Sequence, residues 1–493
     1  MDIVAITFLA IALLLFVLFV LVSATIIGFW LSEIGLWISG LPISLIIISI
    51  VLLVRNWQLP QETTSITLLL TSIILNTITV LRLFIPFVRV RSTNRQLRLA
   101  MEHGLGQDYL YYVDPFISSR FTKNVHFKLS HYFTGVRPRA LSKRVGGVRG
   151  EIYKTIDDEK LKLNIYYPNR DGTFPTVVFI HGGGFILGSK DHPKCEKICK
   201  MLANYGYVVF SVDYRLAPIK YLYKNRETIK EDLLICDMVD DIRSAIIYAK
   251  KNTNLYKGNS DELFLFGRSA GGHLALLTAF SCLGESHFID ETDGSIQQYK
   301  IAGVIAFYPV TDFSEVYNFY GIKNILKALI YRGTGGSEEE LDYLNKVFSP
   351  LTYITEKNLH SLPPAFIVTG EKDKLVKPDQ SVILFKKLQK YKLSSVLLEL
   401  PWANHSFDVI LNGPGGQLTL KYLSQFLVWV LTKRKLIQIN ELAKEHGMNE
   451  VISKEKYRLL HDLKKMNLDN ERDMNNYLPF IEYVYQEETK QSS

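Results

Sequence analysis

The first ninety residues most constrain what this chain can fold into. Three apolar runs occupy them, roughly 3–31, 36–54 and 66–88, with few charges inside. A helix needs about 20 consecutive apolar residues to cross the hydrocarbon core of a bilayer. The first run exceeds that length. The second just reaches it and contains Gly40 and Pro42, which bilayer helices tolerate when their neighbours satisfy the backbone. The third contains Asn76 and, near its end, Arg82, whose long side chain can reach back to the interface. No polar face alternates with the apolar one, which disfavours a buried helical subdomain of a soluble protein. A cleaved secretory signal also fits poorly. Asp2 is the only early charge, and the first run is longer than the roughly 7–15 apolar residues of such a signal. Residues 1–91 therefore read as a membrane anchor with two or three transmembrane helices.

Basic residues orient the anchor. The loop after the first run holds Glu33 and no Lys or Arg, and the loop after the second holds Arg55. Arg82, Arg89, Arg91, Arg95 and Arg98 surround the end of the third. Basic residues beside a span stay on the cytoplasmic face, and a cluster of them can also contact anionic lipid. The expectation is an amino terminus outside and everything after the third run in the cytoplasm. The cluster supplies part of the formal net charge of +8. Elsewhere Lys and Arg are interleaved with Asp and Glu, and no zinc-finger, helix-turn-helix or RNA-binding signature occurs, so nucleic acid is not an expected partner. The four cysteines, Cys195, Cys199, Cys236 and Cys282, are too few for a disulfide framework in 493 residues and fit a reducing compartment.

Residues 92–150 read as a basic, irregular connector with short helical stretches and a loop at Arg137-Pro-Arg-Ala-Leu-Ser-Lys-Arg-Val-Gly-Gly. From about Glu151 a regular alternation begins. Strands are expected near 161–167, 176–180, 207–212, 263–266, 301–307, 365–369 and 396–400. Helices are expected near 195–205, 233–250, from 273, 380–391 and 418–431. Such alternation implies a mostly parallel sheet with helices on both faces. The stretch 313–363 interrupts the rhythm and reads as a lid-like insertion over the carboxyl ends of the strands, where open α/β sheets bind ligands. Residues 432–493 read as a charged helical tail.

Gly267-Arg268-Ser269-Ala270-Gly271 stands between an apolar strand and a helix. In that context G-x-S-x-G is a sharp turn that exposes a serine hydroxyl at the strand end, and its glycines permit the close backbone approach. His181-Gly182-Gly183-Gly184-Phe185 directly follows the strand 176–180. Its successive N–H groups, with the amide of Ala270, can hold a developing oxyanion. His181 itself precedes this loop and reads as structural. Asp373 lies in the loop after the strand 365–369, and His405 in the loop after the last strand. The order Ser, Asp, His is the order used by a nucleophile of this kind. His405 takes the proton from Ser269, and Asp373 holds the imidazole tautomer, with Glu371 as the alternative acid.

With these elements in view, residues from about 150 to 430 resemble the α/β-hydrolase esterases and lipases of the hormone-sensitive-lipase type. The matching stretches are HGGGF at 181–185, SVDYRLAP at 211–218, GRSAGGHLAL at 267–276, GEKDKLV at 370–376 and PWANHSFD at 401–408. The resemblance implies an α/β-hydrolase fold and a carboxylic-ester hydrolase whose oxyanion hole uses Gly183, Gly184 and Ala270. It also implies structural roles for Asp213 and Arg215. Arg268 stands where the family commonly has Asp or Glu.

Two other groupings read as structure. His192, Cys195 and Cys199 lack a fourth ligand at zinc spacing, so no metal is expected. Asp240 and Asp241, before Arg243, read as one helix face. The expected chemistry is acyl transfer through a covalent acyl-enzyme, with water as final acceptor and no organic cofactor. The expected partners are a small-molecule or lipid ester and the bilayer. An amidase, deacetylase or acyltransferase would use the same three residues. An inactive hydrolase-fold binding protein would have no need of all of them.

Overall fold

A single helix joins the apolar region to the rest of the chain. In the computed structural model, which describes residues 2–21, 33–55, 63–107, 109–112, 127–134, 144–217, 235–281, 288–289, 296–297, 300–314 and 345–445, the third apolar run lies inside α3, Thr63–Leu105. It follows α1, Asp2–Phe16, and α2, Gly40–Arg55. Three helices here are long and apolar enough to cross a membrane: Ile3–Val20, Gly35–Arg55 and Thr63–Leu105.

The inward stripe of α3 changes character along its length. Its first half buries Ser65, Leu69, Ser72, Asn76 and Thr79, while Leu70, Ile74, Ile78 and Leu81 face outward. Small and polar residues inside with apolar residues outside is the pattern selected when the solvent is hydrocarbon and helices must pack closely. Ser72 Oγ donates to the Phe8 carbonyl of α1, and Asn76 Nδ2 to the Ser72 carbonyl, while Asn76 Oδ1 is buried without a partner among the described residues. Beyond Pro86 the stripe becomes Val90, Leu97, Met101 and Leu105, while Arg89, Arg91, Arg95 and Arg98 are exposed. That is the ordinary pattern of a helix against a protein core in water. Residues 92–105, expected as irregular connector, are thus helical and part of the main core.

Among the described residues eight strands form the main sheet: β1 (Val145–Ile156), β2 (Glu159–Pro168), β3 (Phe174–Ile180), β4 (Val208–Val212), β5 (Gly258–Arg268), β6 (Gly303–Phe307), β7 (Ala365–Gly370) and β8 (Ser395–Leu400). Their order in the sheet is β1-β2-β4-β3-β5-β6-β7-β8. β2 is antiparallel to both β1 and β4, and the remaining neighbours are parallel. This is the α/β-hydrolase fold. β3 is buried along its whole length, as a continuous apolar run in a central strand requires. β1 was not anticipated. It lies at the sheet edge, with Val145 buried and its other residues half-buried or exposed, and begins inside the Val145-Gly-Gly segment expected as loop.

Helices α4 (Pro193–Tyr205), α5 (Ile235–Asn252), α6 (Ala270–Ser281), α7 (Asp379–Lys390) and α8 (Pro414–Glu445) flank the sheet. α8 continues past residue 431, where a separate tail was expected to start, and residues 446–493 of that tail lie outside the described residues. So do residues 315–344 of the expected lid, Cys282, and residues 113–126 and 135–143 of the connector.

α3 packs on β8 at Gly104. A Cβ built there would lie 2.0 Å from the Ser395 carbonyl oxygen and 3.2 Å from Val396 Cα, both backbone atoms that cannot swing aside. Higher up, Asn94 receives the Tyr422 hydroxyl on its carbonyl, at 2.6 Å, and Lys421 Nζ on its side chain, at 2.8 Å, both from α8. Gly104→Leu is therefore expected to destabilise the protein by at least the 1–3 kcal/mol typical of overpacking, about that much or more because backbone must move. Thermal unfolding of the detergent-solubilised protein reads this. Gly40→Ala, which meets nothing within 4 Å, is the control and leaves the transition unchanged.

Candidate active site

The turn after β5 places Ser269 at the carboxyl edge of the sheet with a positive φ of 52°. Such a conformation is strained for a non-glycine residue and persists only where the surroundings over-determine it. They do so here. A Cβ on Gly267 would lie 1.9 Å from the Gly271 carbonyl oxygen, and one on Gly271 would lie 2.3 Å from that of Ile180. The Ser269 amide also donates to the Phe307 carbonyl at 2.8 Å.

His405 Nε2 lies 2.9 Å from Ser269 Oγ, and its Nδ1 lies 2.7 Å from Asp373 Oδ2. The other carboxylate oxygen of Asp373 accepts the amides of Leu375 and Val376, at 2.8 and 2.9 Å. With both of its oxygens engaged, Asp373 cannot rotate away from the imidazole. Glu371, the alternative acid, is exposed and turned away from this chain of bonds. Asn404 Oδ1 accepts from the amides of His405 and Lys374, tying the two loops together.

The glycine loop lies beside the serine: a Cβ on Gly182 would meet the Arg268 carbonyl oxygen at 2.7 Å and Ser269 Cβ at 3.2 Å. Gly183 and Gly184 have φ of 142° and 62°, values that L side chains rarely adopt. The amides of Gly183, Gly184 and Ala270 have no acceptor among the described residues. His181 is buried, stacks on Tyr214 with ring centroids 4.6 Å apart, and bonds its own loop at the Gly182 carbonyl, 3.0 Å away. Asp213 accepts the Lys190 amide at 2.6 Å, and Arg215 pairs with the fully buried Asp241 at 2.8 Å. Asp241 also receives Lys154 at 3.2 Å, whereas Asp240 pairs with Arg243 on the surface at 3.1 Å, so the two adjacent carboxylates do separate structural work. Cys195 and Cys199 are buried, and no metal-binding cluster occurs among the described residues.

Four further residues lie around these groups: Arg268 and Glu33, noted in the sequence without a role at the site, and Asp408 and Tyr308, which the sequence did not single out. Arg268 and Asp408 form a buried ion pair, and the Tyr308 hydroxyl donates to the other Asp408 oxygen. Burial and the neighbouring Asp408 charge push Tyr308 well above the usual phenol range, so it remains the donor. Its ring lies 4.4 Å from that of His405. A lone basic residue beside the serine was a signal that an acidic partner must exist, and Asp408 lies only three residues after His405. Tyr308 had no such signal, because its contact spans 100 residues.

Glu33, the lone charge between the first two apolar runs, is fully buried behind the His405 loop. Its carboxylate accepts Trp402 Nε1 at 2.9 Å and the amide of Gly415 at 2.8 Å. Gly415 lies in the first turn of α8, where unpaired N–H groups and the helix dipole favour a carboxylate. Burial outweighs this and lifts the Glu33 pKa to about 7, opposed by the bonds from Gly415, Trp402 and Gly416 and assisted by the nearby Asp408.

The family profile named BD-FAE matches residues 163–388, which include Ser269 and Asp373 but end before His405. Esterase LipC of Mycobacterium tuberculosis is 24% identical over 259 residues, 51% of this chain and 58% of that protein. A probable isoprenylcysteine alpha-carbonyl methylesterase of Oryza sativa subsp. japonica is 27% identical over 263 residues, 52% of this chain and 57% of that protein. The chain thus spans less than two thirds of the length of these curated relatives. The crystal structure of esterase B from Lactobacillus Rhamnosis is 23% identical with a TM-score of 0.47, and covers 62% of this chain and 94% of that one.

The raised pKa of Glu33 makes stability depend on pH. Between the ordinary value of 4.5 and about 7 the folded chain holds a proton that the unfolded chain has lost. This contribution is fully present below pH 4.5 and is lost as pH rises through about 7. At one pKa unit per 1.36 kcal/mol it amounts to at most about 3 kcal/mol. Glu33→Gln keeps a side-chain acceptor without the charge. The expected result is that the variant unfolds at higher temperature than the parent at pH 8 and that the advantage disappears near pH 5. Equal shifts at both pH values would contradict the assignment.

Proposed function

We propose that this chain is a membrane-anchored serine hydrolase that cleaves carboxylic esters, of the hormone-sensitive-lipase type, with Ser269, His405 and Asp373 as its catalytic residues. The observation that carries the reading is the continuous set of bonds from Ser269 through His405 to Asp373, beside three amides without an acceptor among the described residues. The named esterases among the relatives support the same chemistry.

In this mechanism His405 Nε2 takes the proton of Ser269 as Oγ attacks the acyl carbon. The carbonyl oxygen becomes an oxyanion held by the amides of Gly183, Gly184 and Ala270. Collapse breaks the acyl–oxygen bond, and His405 returns its proton to the departing alcohol. Water then attacks the acyl-enzyme with His405 again as base, releasing the acid and restoring Ser269. Asp373 keeps Nδ1 protonated and stabilises the imidazolium. Arg268, Asp408 and Tyr308 hold the imidazole against the serine turn.

The anchor follows from the reversed polarity of α1, α2 and the first half of α3, whose apolar residues face outward. The exposed Arg residues from 89 to 98 stand at its end and hold that side in the cytoplasm.

Ser269→Ala is expected to abolish hydrolysis of a short-chain p-nitrophenyl ester and labelling by a fluorophosphonate. Asp373→Asn is expected to cut kcat by roughly 10⁴ without loss of fold, while Glu371→Gln stays near the parent rate. Labelling that persists in Ser269→Ala would overturn the proposal. For orientation, a reporter fused after Ser493 should be active only when it matures in the cytoplasm, and activity in an exported reporter would reverse the topology.

A further inference from the structure

The direction in which α3 crosses the sheet decides where the site faces. Near its end, Gly104 presses on Ser395, the first residue of β8. Nearer its start, Leu83 abuts Gly35, and two residues from Gly35 the buried Glu33 bonds Trp402, just past the last residue of β8. The helix therefore runs from the carboxyl end of β8 to its amino end. α8 gives the same direction independently. It begins at Pro414 and Gly415 on Glu33, and its Arg434 reaches the Asp261 carbonyl near the start of β5. The apolar helices thus leave from the carboxyl edge of the sheet, the edge that carries Ser269, Asp373 and His405.

The lipid-type exterior ends close to that edge. Leu81 is still exposed on the outside of α3, two residues before Leu83, which meets the segment holding Glu33. Trp402, bonded to Glu33, is three residues from His405. Between the two lies an apolar shelf. The short helix Leu129–Thr134 packs Tyr132 on Trp37 and Phe87, with ring centroids 5.3 and 4.9 Å apart. The Tyr132 carbonyl accepts Asn412 Nδ2, at 2.7 Å, from the segment following His405. Leu129, Phe133 and Trp37 are 51%, 56% and 49% exposed there, and Trp37 lies just before the helix whose Leu41, Ile47 and Ile48 face outward. An apolar surface adjoining a lipid-facing one is wetted by lipid rather than by water.

We propose that the ester reaches Ser269 from the bilayer: the substrate is an amphiphile whose hydrocarbon part stays in the lipid while its ester bond, at headgroup depth, enters the carboxyl edge past the shelf of Trp37, Leu129 and Phe133. This rests on the hydrolase reading and on the anchor given above. The reaction itself is unchanged, with water splitting the acyl–oxygen bond into acid and alcohol.

The test uses the full chain in phosphatidylcholine vesicles and two phosphonates with the same p-nitrophenyl leaving group. One carries a short, water-soluble alkyl chain and the other a hexadecyl chain. The hexadecyl probe is supplied either in the same vesicles as the protein or in separate ones. Labelling of Ser269 should be at least about tenfold faster from the same bilayer, because a long chain leaves a bilayer slowly. Equal rates from the two vesicle populations would overturn the inference, as would labelling by the short probe with none by the hexadecyl probe in the same bilayer. In both cases the hydrolase reading stands. Absence of labelling by either probe would overturn the hydrolase reading and the inference together.

Discussion

One continuous helix carries two different outward faces. The inward stripe of α3 is continuous from Ser65 to Leu105, but its outward face changes from leucine and isoleucine to arginine after Pro86. The first half packs through small polar residues that leave no large group to bury in hydrocarbon. The second half is held by the hydrophobic effect against β8 and α8. Because the helix does not break between these halves, the hydrolase unit is held rigidly to the apolar helices rather than hung on a flexible linker. Gly104 sets how closely the helix lies on β8, and Asn94 ties it to α8.

The same attachment reaches the reactive groups through the loop after β8. That loop carries His405 and is gripped from three sides. Asp373 holds the imidazole, Arg268 and Tyr308 hold Asp408, and Glu33 holds Trp402. All three grips involve a buried carboxyl group. A buried guanidinium and carboxylate add little net stability over an apolar pair, but removing one partner strands the other at a cost of about 3–5 kcal/mol. The benefit of such an arrangement lies in specificity of position, since an ion pair has one geometry that satisfies it. Glu33 is different in kind. Among the described residues it has no cationic partner, and N–H donors oppose its desolvation, so its protonation state shifts within the neutral range.

Much of the fold was legible along the chain. Alternating apolar strands and amphipathic helices foretold the sheet, because a buried strand such as Phe174–Ile180 and a half-buried helix such as Ile235–Asn252 carry different periods. β1 escaped because its Gly-rich start resembles a turn, and it becomes a strand only by pairing with β2. The connector escaped for a similar reason. Its arginines look like a solvated segment until Leu97, Met101 and Leu105 are seen to share one face.

At the site, Ser269, Asp373, His405 and the glycine loop could be named from the sequence because each is bound to a local context of strand, turn and helix. Local context is what a sequence encodes directly, through φ restrictions, strand periodicity and the small size of glycine. The distances among these groups are another matter. Asp408 beside Arg268, Tyr308 over His405 and Glu33 under Trp402 join residues separated by 100 or more positions in two of the three cases. No pattern along the chain specifies such pairs, because they arise from the packing of elements that do not follow one another. The apolar runs alone determined that part of this protein must avoid water. Which edge of the sheet meets the apolar helices depended on the direction in which α3 crosses β8, and only the tertiary structure decided that.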